Sequence, residues 1–299
     1  MTVATRRSLA GPGLAAAAGL LLASVVITGK PALEGNAPFT ILALRFSGTA
    51  IVLALVALAT RVPLRPVGTE WRGMFLAGLC GYGVESALFF SALNHGSAAA
   101  VALLFYTYPI STMLIAVATH RIAPGRALWA ALGAATAGVT LLIGLGGSLA
   151  LEPVGVALAL TCALGYTLYM TVTDRVLVRS HPLSGAIWLA VGAATCNLAL
   201  ATVSGSFALP AGWPAWRPIV YMAIATAGAF TCVLGAIKRI GAVRTSIIAV
   251  TEPLAVAILG ALRLGEPLTA GIVVGGALIL TGGVLATLAR GDHVVEPDV

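Results

Sequence analysis

The chain alternates about ten apolar blocks of roughly 17–24 residues with short polar joints, and each block is long enough to cross a bilayer as a helix. The blocks form two sets, because the second half repeats the first at an offset of 144–145 residues. Leu14, Ala15 and Leu20 match Leu158, Ala159 and Leu164, and Pro38, Gly48 and Ala50 match Pro182, Gly192 and Ala194. Trp71-Arg72 matches Trp216-Arg217, and Gly83 and Gly96 match Gly228 and Gly241. Thr107 and Pro109 match Thr251 and Pro253, and Thr136, Gly138 and Val139 match Thr281, Gly283 and Val284. In a chain so rich in Ala, Leu and Gly, the Pro and Trp-Arg matches carry the case. A repeat with an odd number of crossings forces the halves to enter the membrane in opposite directions. Inverted repeats of this kind hold a transported solute where they meet, near mid-membrane.

Composition agrees with a membrane protein. Hydrophobic residues make up 59% of the chain and charged residues 9%, against roughly 25% charged residues in a soluble domain. The net charge of +7 does not indicate a nucleic-acid partner, because the basic residues lie in the joints. The expected fold is all-α, with ten transmembrane helices near 14–29, 39–60, 73–93, 97–119, 127–147, 154–177, 183–203, 219–237, 245–262 and 269–288. Residues 1–150 form the first five-helix repeat, 151–290 the second and 291–299 a short tail. With these spans, one side of the membrane receives Arg6, Arg7, Arg61, Arg65, Arg72, Arg121, Arg126, Arg175, Arg179, Lys238, Arg239, Arg244 and Arg290. The other receives Lys30, Arg217 and Arg263. That bias predicts two cytoplasmic termini. Arg6 and Arg7 precede an apolar stretch as in a signal peptide, but Leu14–Gly29 runs into Lys30 and Pro31 without a clear cleavage site. It reads as a retained first span. Cys80, Cys162, Cys196 and Cys232 lie inside apolar blocks without a CxxC pair, so they read as small buried hydrophobes.

These features resemble the drug/metabolite transporter superfamily in its EamA-like branch, and within it the bacterial inner-membrane exporters of aromatic and other amino acids. The matching pieces are Ser24-Val-Val-Ile-Thr-Gly-Lys30, Pro38-x6-Arg45-Phe46, Pro109 and Pro253 inside spans 4 and 9, Gly265-Glu266-Pro267-Leu268-Thr269, and the Gly-rich spans 5 and 10. The resemblance runs from about Leu14 to Ala289. One departure is His120-Arg-Ile-Ala-Pro124, where the family often has a Gly-Glu pair. The resemblance implies a secondary carrier of the inner membrane, with a central cavity lined by spans 1, 3, 4, 6, 8 and 9.

Ionisable groups inside a bilayer are functional candidates by default. Glu85 and Glu252 fall near the middle of their spans. Pro253 removes one helix hydrogen bond beside Glu252 and frees the Ala249 carbonyl. Each acid reads either as a substrate or proton site or as a protonated group bonded to a neighbouring helix. Arg45 is expected to snorkel outward or pair with an acid, with a carboxylate clamp as the alternative. Lys30 and Glu34 are spaced for a local ion pair. Tyr82, Tyr106, Tyr108, Tyr166, Tyr169 and Phe230 lie on spans 3, 4, 6 and 8. Tyrosines in a bundle interior need hydroxyl partners and would suit an amphipathic solute, although plain helix packing is the competing explanation. The candidate substrate-binding set is therefore Tyr82, Glu85, Tyr106, Tyr108, Tyr166, Tyr169, Phe230 and Glu252, with Pro109 and Pro253 as hinge points. Trp129, Trp213 and Trp216 fit interfacial belts.

The expected function is amino-acid export by alternating access, with another amphipathic metabolite or a cationic drug as the alternative cargo. The partners are that small solute and the lipid bilayer. Gly271-x3-Gly275 leaves room for a weak homodimer through span 10. No enzyme motif stands out: HExxH and the P-loop are missing and the four histidines are scattered, so no metal, cofactor or nucleotide is expected. No re-entrant loop or charged pore ring points to a channel.

Overall fold

The computed structural model describes residues 3–32, 37–92, 95, 101, 104–119, 124–144, 152–264 and 270–288. Several sequence features therefore lie outside the described residues: Glu34, Gly96, His120 to Ala123, Gly265 to Thr269 and the tail from 291. The described elements are all helical. They are α1 (Val3–Ala32), α2 (Pro38–Ala59), α3 (Glu70–Leu76), a π-helical segment (Ala77–Gly83), α4 (Val84–Ala92), α5 (Tyr108–Ala118), α6 (Arg126–Gly144), α7 (Pro153–Val176), α8 (Pro182–Val203), α9 (Gly212–Ala249), α10 (Thr251–Leu264) and α11 (Ala270–Leu288). Among them, Ala10–Gly29 of α1 and the whole of α2, α7, α8 and α9 are long and apolar enough to cross a membrane.

Local chemistry sets the helix ends. Pro38, Pro109, Pro153 and Pro182 each sit in the first turn of a helix, where the missing N–H costs nothing. At the end of α2 the Thr60 hydroxyl donates to the Val56 carbonyl, and Arg61 turns the chain with φ 57°. At the end of α8, Ser204 donates to Leu200 and Gly205 turns the chain with φ 63°. These pairs are equivalent in the repeat. Arg61 thus holds a left-handed conformation that the second half assigns to glycine.

Contacts between helices come in matched sets. α1 packs on α9 and α10, and its repeat counterpart α7 packs on the α3-to-α4 helix and on α5. α2 packs on α8 and α9, while α8 packs on α2 and the π-helical segment. α6 and α11 pair with each other.

The equivalent helices run antiparallel. The Thr40 hydroxyl at the start of α2 donates to the Ser206 carbonyl beyond the end of α8, at 2.8 Å. In return the Ser184 hydroxyl near the start of α8 donates to the Pro63 carbonyl beyond the end of α2. Gly48 of α2 faces Ala223, and its counterpart Gly192 of α8 lies directly on the backbone of Phe75, Gly78 and Leu79. Gly138 of α6 abuts Gly275 and Ile279 of α11, whereas Gly282 of α11 abuts Ala131 and Ala135 of α6. Each of these contacts becomes its partner when the halves are exchanged.

Three expectations need correction. First, the packing counterpart of Gly138 is Gly282, not Gly283, at which an added Cβ would meet nothing within 4 Å. Adjacent helix residues face directions about 100° apart, so only packing separates the two glycines. Second, no polar loop divides spans 8 and 9. α9 runs through the expected joint, broken at Gly241 with φ 77° and ψ 166°. Glycine alone adopts this positive-φ conformation readily, so the kink needs a single residue. Third, Cys80 is exposed, not buried.

Candidate functional site

Span 3 is interrupted by the π-helical segment Ala77–Gly83, which carries Gly78, Tyr82 and Gly83. A π-turn widens the helix and redirects the side chains beside it. The glycines let α8 approach: a side chain on Gly78 would strike the Leu189 carbonyl, and one on Gly83 would lie 2.7 Å from Cys196 Cβ. Tyr82 and, one turn on, Glu85 face inward from this segment, with 6% and 7% exposure.

Tyr82 is the hub of an aromatic cluster drawn from both repeats. Its ring lies 4.8 Å from Phe230 of α9, 5.4 Å from Tyr169 and 5.9 Å from Tyr166 of α7, and 5.7 Å from Phe46 of α2. Tyr166 meets Tyr108 at 4.6 Å, and Phe105 bridges Tyr106, Tyr108 and Tyr166 at 5.2–5.5 Å. Most of these pairs are edge-to-face or tilted, the arrangement that ring quadrupoles favour at about 0.5–1.5 kcal/mol per pair. All six aromatic candidates from the sequence therefore share one cluster. Phe46 and Phe105 belong to it as well and were missed. Phe46 had a visible signal in its place beside Arg45, but nothing distinguished Phe105 from a lipid-facing phenylalanine.

The acids sit against these rings. Glu85 accepts from the Ser86 hydroxyl at 3.1 Å and from the Cys162 thiol at 3.6 Å. Cys162 is therefore a donor as well as a small hydrophobe. Glu252 lies within electrostatic reach of Tyr82, Tyr106, Tyr108, Tyr166, Glu85 and Arg45. Its residue is half-buried. Tyr108 donates weakly to the Ser246 carbonyl at 3.4 Å. Among the described residues three enclosed hydroxyls, those of Tyr169, Thr173 and Thr251, have no hydrogen-bond partner.

Arg45 departs from its expected place. It does not snorkel: it is buried, with 8% exposure. Its Nε donates to the Thr226 hydroxyl at 2.9 Å and its guanidinium lies 4.8 Å from the Phe46 ring centre. Among the described residues no acid forms an ion pair with it. The polar side chain that meets it, Thr226, lies 181 residues away in sequence, too far for any local pattern to reveal.

The candidate hinges fall at matching breaks. The helix turns at Tyr106 and Thr107 before α5, and again at Val250 before α10. Pro109 and Pro253 then occupy the first turns of the helices that follow. Tyr108 and Glu252 precede them at equivalent positions. Gly19 of α1 lies against the second break, where an added Cβ would stand 2.7 Å from Thr251 Oγ1 and 3.1 Å from the Glu252 nitrogen. α1 thereby leans directly on the interrupted backbone.

On the cytoplasmic side expected from the basic joints, Glu70 at the start of α3 accepts from the Arg179 and Ser180 backbone N–H groups at 3.0 Å each. Burial raises its pKa, but the hydrogen bonds from the Ser180 side chain and from both N–H groups, with the Arg179 charge, outweigh this and hold it below the usual carboxylate range. At the opposite end, His95 Nδ1 and Glu152 Oε2 lie 3.1 Å apart, and the Glu152 N–H donates to the His95 carbonyl at 3.0 Å. Both ends of span 3 are thus fastened to the second repeat.

Comparison with known proteins places this architecture. The EamA-like transporter family matches twice, over residues 9–144 and 153–288. A protein of known crystal structure is similar in fold, with a TM-score of 0.75 and 22% identity over 93% of this chain and 98% of that one. No protein of curated function matches the sequence. The chain belongs to the EamA-like transporter family, as a tandem of two family repeats within the drug/metabolite transporter superfamily.

Proposed function

We propose that this membrane transporter is a secondary carrier exporting amino acids, aromatic ones included, across a bacterial inner membrane by alternating access. Ten spans in two inverted repeats, residues 1–150 and 151–290, would carry the exchange, with both termini in the cytoplasm. The observation that supports this most is the aromatic and acidic cluster at the meeting of the repeats. Tyr82, Tyr106, Tyr108 and Glu85 come from one half, and Tyr166, Tyr169, Phe230 and Glu252 from the other. Rings accept the apolar body of an amphipathic solute, and Glu252 or Glu85 accepts its ammonium group. Pro109 and Pro253 serve as hinges, because each lies just past a matched helix break. Two pseudo-symmetric halves exchange conformations at similar energy, which gives inward- and outward-open states without an added energy source.

Two carboxylates beside a wall of rings also suit a cationic drug, and counterflow separates the two cargoes. Purified protein in liposomes is loaded with unlabelled phenylalanine, threonine, methionine or a lipophilic cation, and uptake of the labelled form is followed. Saturable counterflow of an amino acid supports the reading. Counterflow of the cation alone gives the second reading, and no counterflow of any of them contradicts both.

A further inference from the structure

Arg45 presents an imbalance that the fold does not resolve. A guanidinium stays charged under any relevant condition and carries five N–H donors. In this chain one of them is used in normal geometry, from Nε to Thr226. The Tyr82 hydroxyl is a second, weaker polar neighbour of the guanidinium. Glu85 and Glu252 share its field, yet neither reaches ion-pair distance. The terminal nitrogens are not among the fully enclosed unpaired atoms, so there is room beside them for a water-sized group. A buried cation met by hydroxyls but by no ion-paired acid costs more than the packing it contributes, and in known folds such groups are paired or take a ligand.

The asymmetry of the repeat sharpens the point. The residue equivalent to Arg45 is Leu189, fully buried and purely apolar. The scaffold therefore tolerates leucine at this place, and a structural role common to both halves does not require the charge.

We infer that Arg45 is the anchor for an anionic group of the cargo, a carboxylate, held by its unused terminal N–H groups while the rings of Phe46 and Tyr82 cover the apolar part. This rests on the carrier reading above and narrows it: the cargo must carry a carboxylate, so a carboxylate-free cation is excluded. A planar carboxylate matches the guanidinium fork in bidentate geometry, which an ammonium on lysine does not reproduce.

The test has two arms. In the first, the melting temperature of the purified protein is followed across a titration of phenylacetate, with phenethylamine as the carboxylate-free control. The proposal expects phenylacetate to raise it, phenethylamine not to, and Arg45→Leu to abolish the rise. Arg45→Lys is the second variant if the leucine protein does not fold, and should weaken phenylacetate by about tenfold or more. No phenylacetate effect on the unmutated protein, or the same effect in the variant, overturns the proposal. In the second arm, phenylalanine and phenethylamine are compared in counterflow. Phenylalanine exchanged and phenethylamine not, with the difference lost in the variant, supports the anchor. Equal exchange of both overturns it. Carboxylate binding without any counterflow would sink the carrier reading and leave the anchor standing. Counterflow that ignores the carboxylate would do the reverse.

Discussion

The packed seam and the aromatic centre follow opposite rules, although both lie between the same two repeats. At the seam the halves agree. Gly48 and Gly192, Gly138 and Gly282, and Thr40 and Ser184 occupy equivalent places and make exchanged versions of the same contacts. At the centre the halves disagree at every key position. Arg45 stands opposite Leu189, Tyr108 opposite Glu252, Glu85 opposite Phe230 and Tyr82 opposite Ala227. A seam repeated under exchange can serve both ends of a rocking motion, because each arrangement has a mirror of similar energy. A solute has no such symmetry, so the surface that binds it must break the repeat. Symmetry is thus the mark of the machine and asymmetry the mark of the cargo.

The comparison is broken most severely by giving the seam a side chain. A Cβ on Gly192 would strike the Phe75 carbonyl oxygen and stand 2.7 Å from the Leu79 nitrogen. Backbone atoms inside two helices do not move aside as a flexible side chain does. Gly192→Val should therefore cost about 4 kcal/mol or more, seen as loss of the monodisperse peak in size-exclusion chromatography. Gly283→Ala, one residue from the seam glycine of α11 and facing open space, should leave the peak unchanged.

The centre should fail differently. Glu252→Gln keeps the volume and removes the charge, so the protein should fold while amino-acid counterflow falls by about tenfold or more, the scale of losing one charge-assisted contact. Melting temperature and counterflow measured on one preparation separate the two effects. A variant that loses both equally would place Glu252 with the scaffold.

Two smaller effects sharpen the contrast at the seam's ends. Glu70 holds its carboxyl below the usual range through the Arg179 and Ser180 bonds. A depressed folded pKa gives stability that is present above the unfolded value and lost as pH falls through the folded one. The melting-temperature gap between the unmutated protein and Glu70→Gln should then be present at neutral pH and close in acid below the usual carboxylate range. The smallest effect is expected at Arg61, whose left-handed φ of 57° matches that of Gly205 in the other half. Arg61→Gly should raise stability by up to about 1 kcal/mol, read as a slight rise in melting temperature.

The sequence exposed the apolar blocks, the repeat and the six aromatic candidates, because these follow from hydropathy, offset and residue type. It did not show Gly241 as a one-residue kink, because Lys238, Arg239 and Arg244 mark the stretch as a joint whatever its length. Nor did it settle which of two adjacent glycines is the packing counterpart of Gly138, since composition is blind to a helical rotation. The company of Arg45 was hidden for another reason: Thr226 is brought beside it only by the packing of α9 on α2. Likewise the Cys162 bond to Glu85 depends on how α7 lies against α4. Local patterns name the groups that can do chemistry, whereas long-range packing decides which of them meet.

Ser86 tests most directly whether the centre is a solute site reached from both faces, because its hydroxyl points at Glu85 and cysteine is nearly its isostere. With Cys80, Cys162, Cys196 and Cys232 replaced by serine, Ser86→Cys protein is placed in sealed vesicles and treated with a membrane-impermeant thiol reagent from either side. Our account predicts labelling from each side in turn, with saturating phenylalanine slowing both. Labelling from one side only, with phenylalanine changing neither rate, would contradict it.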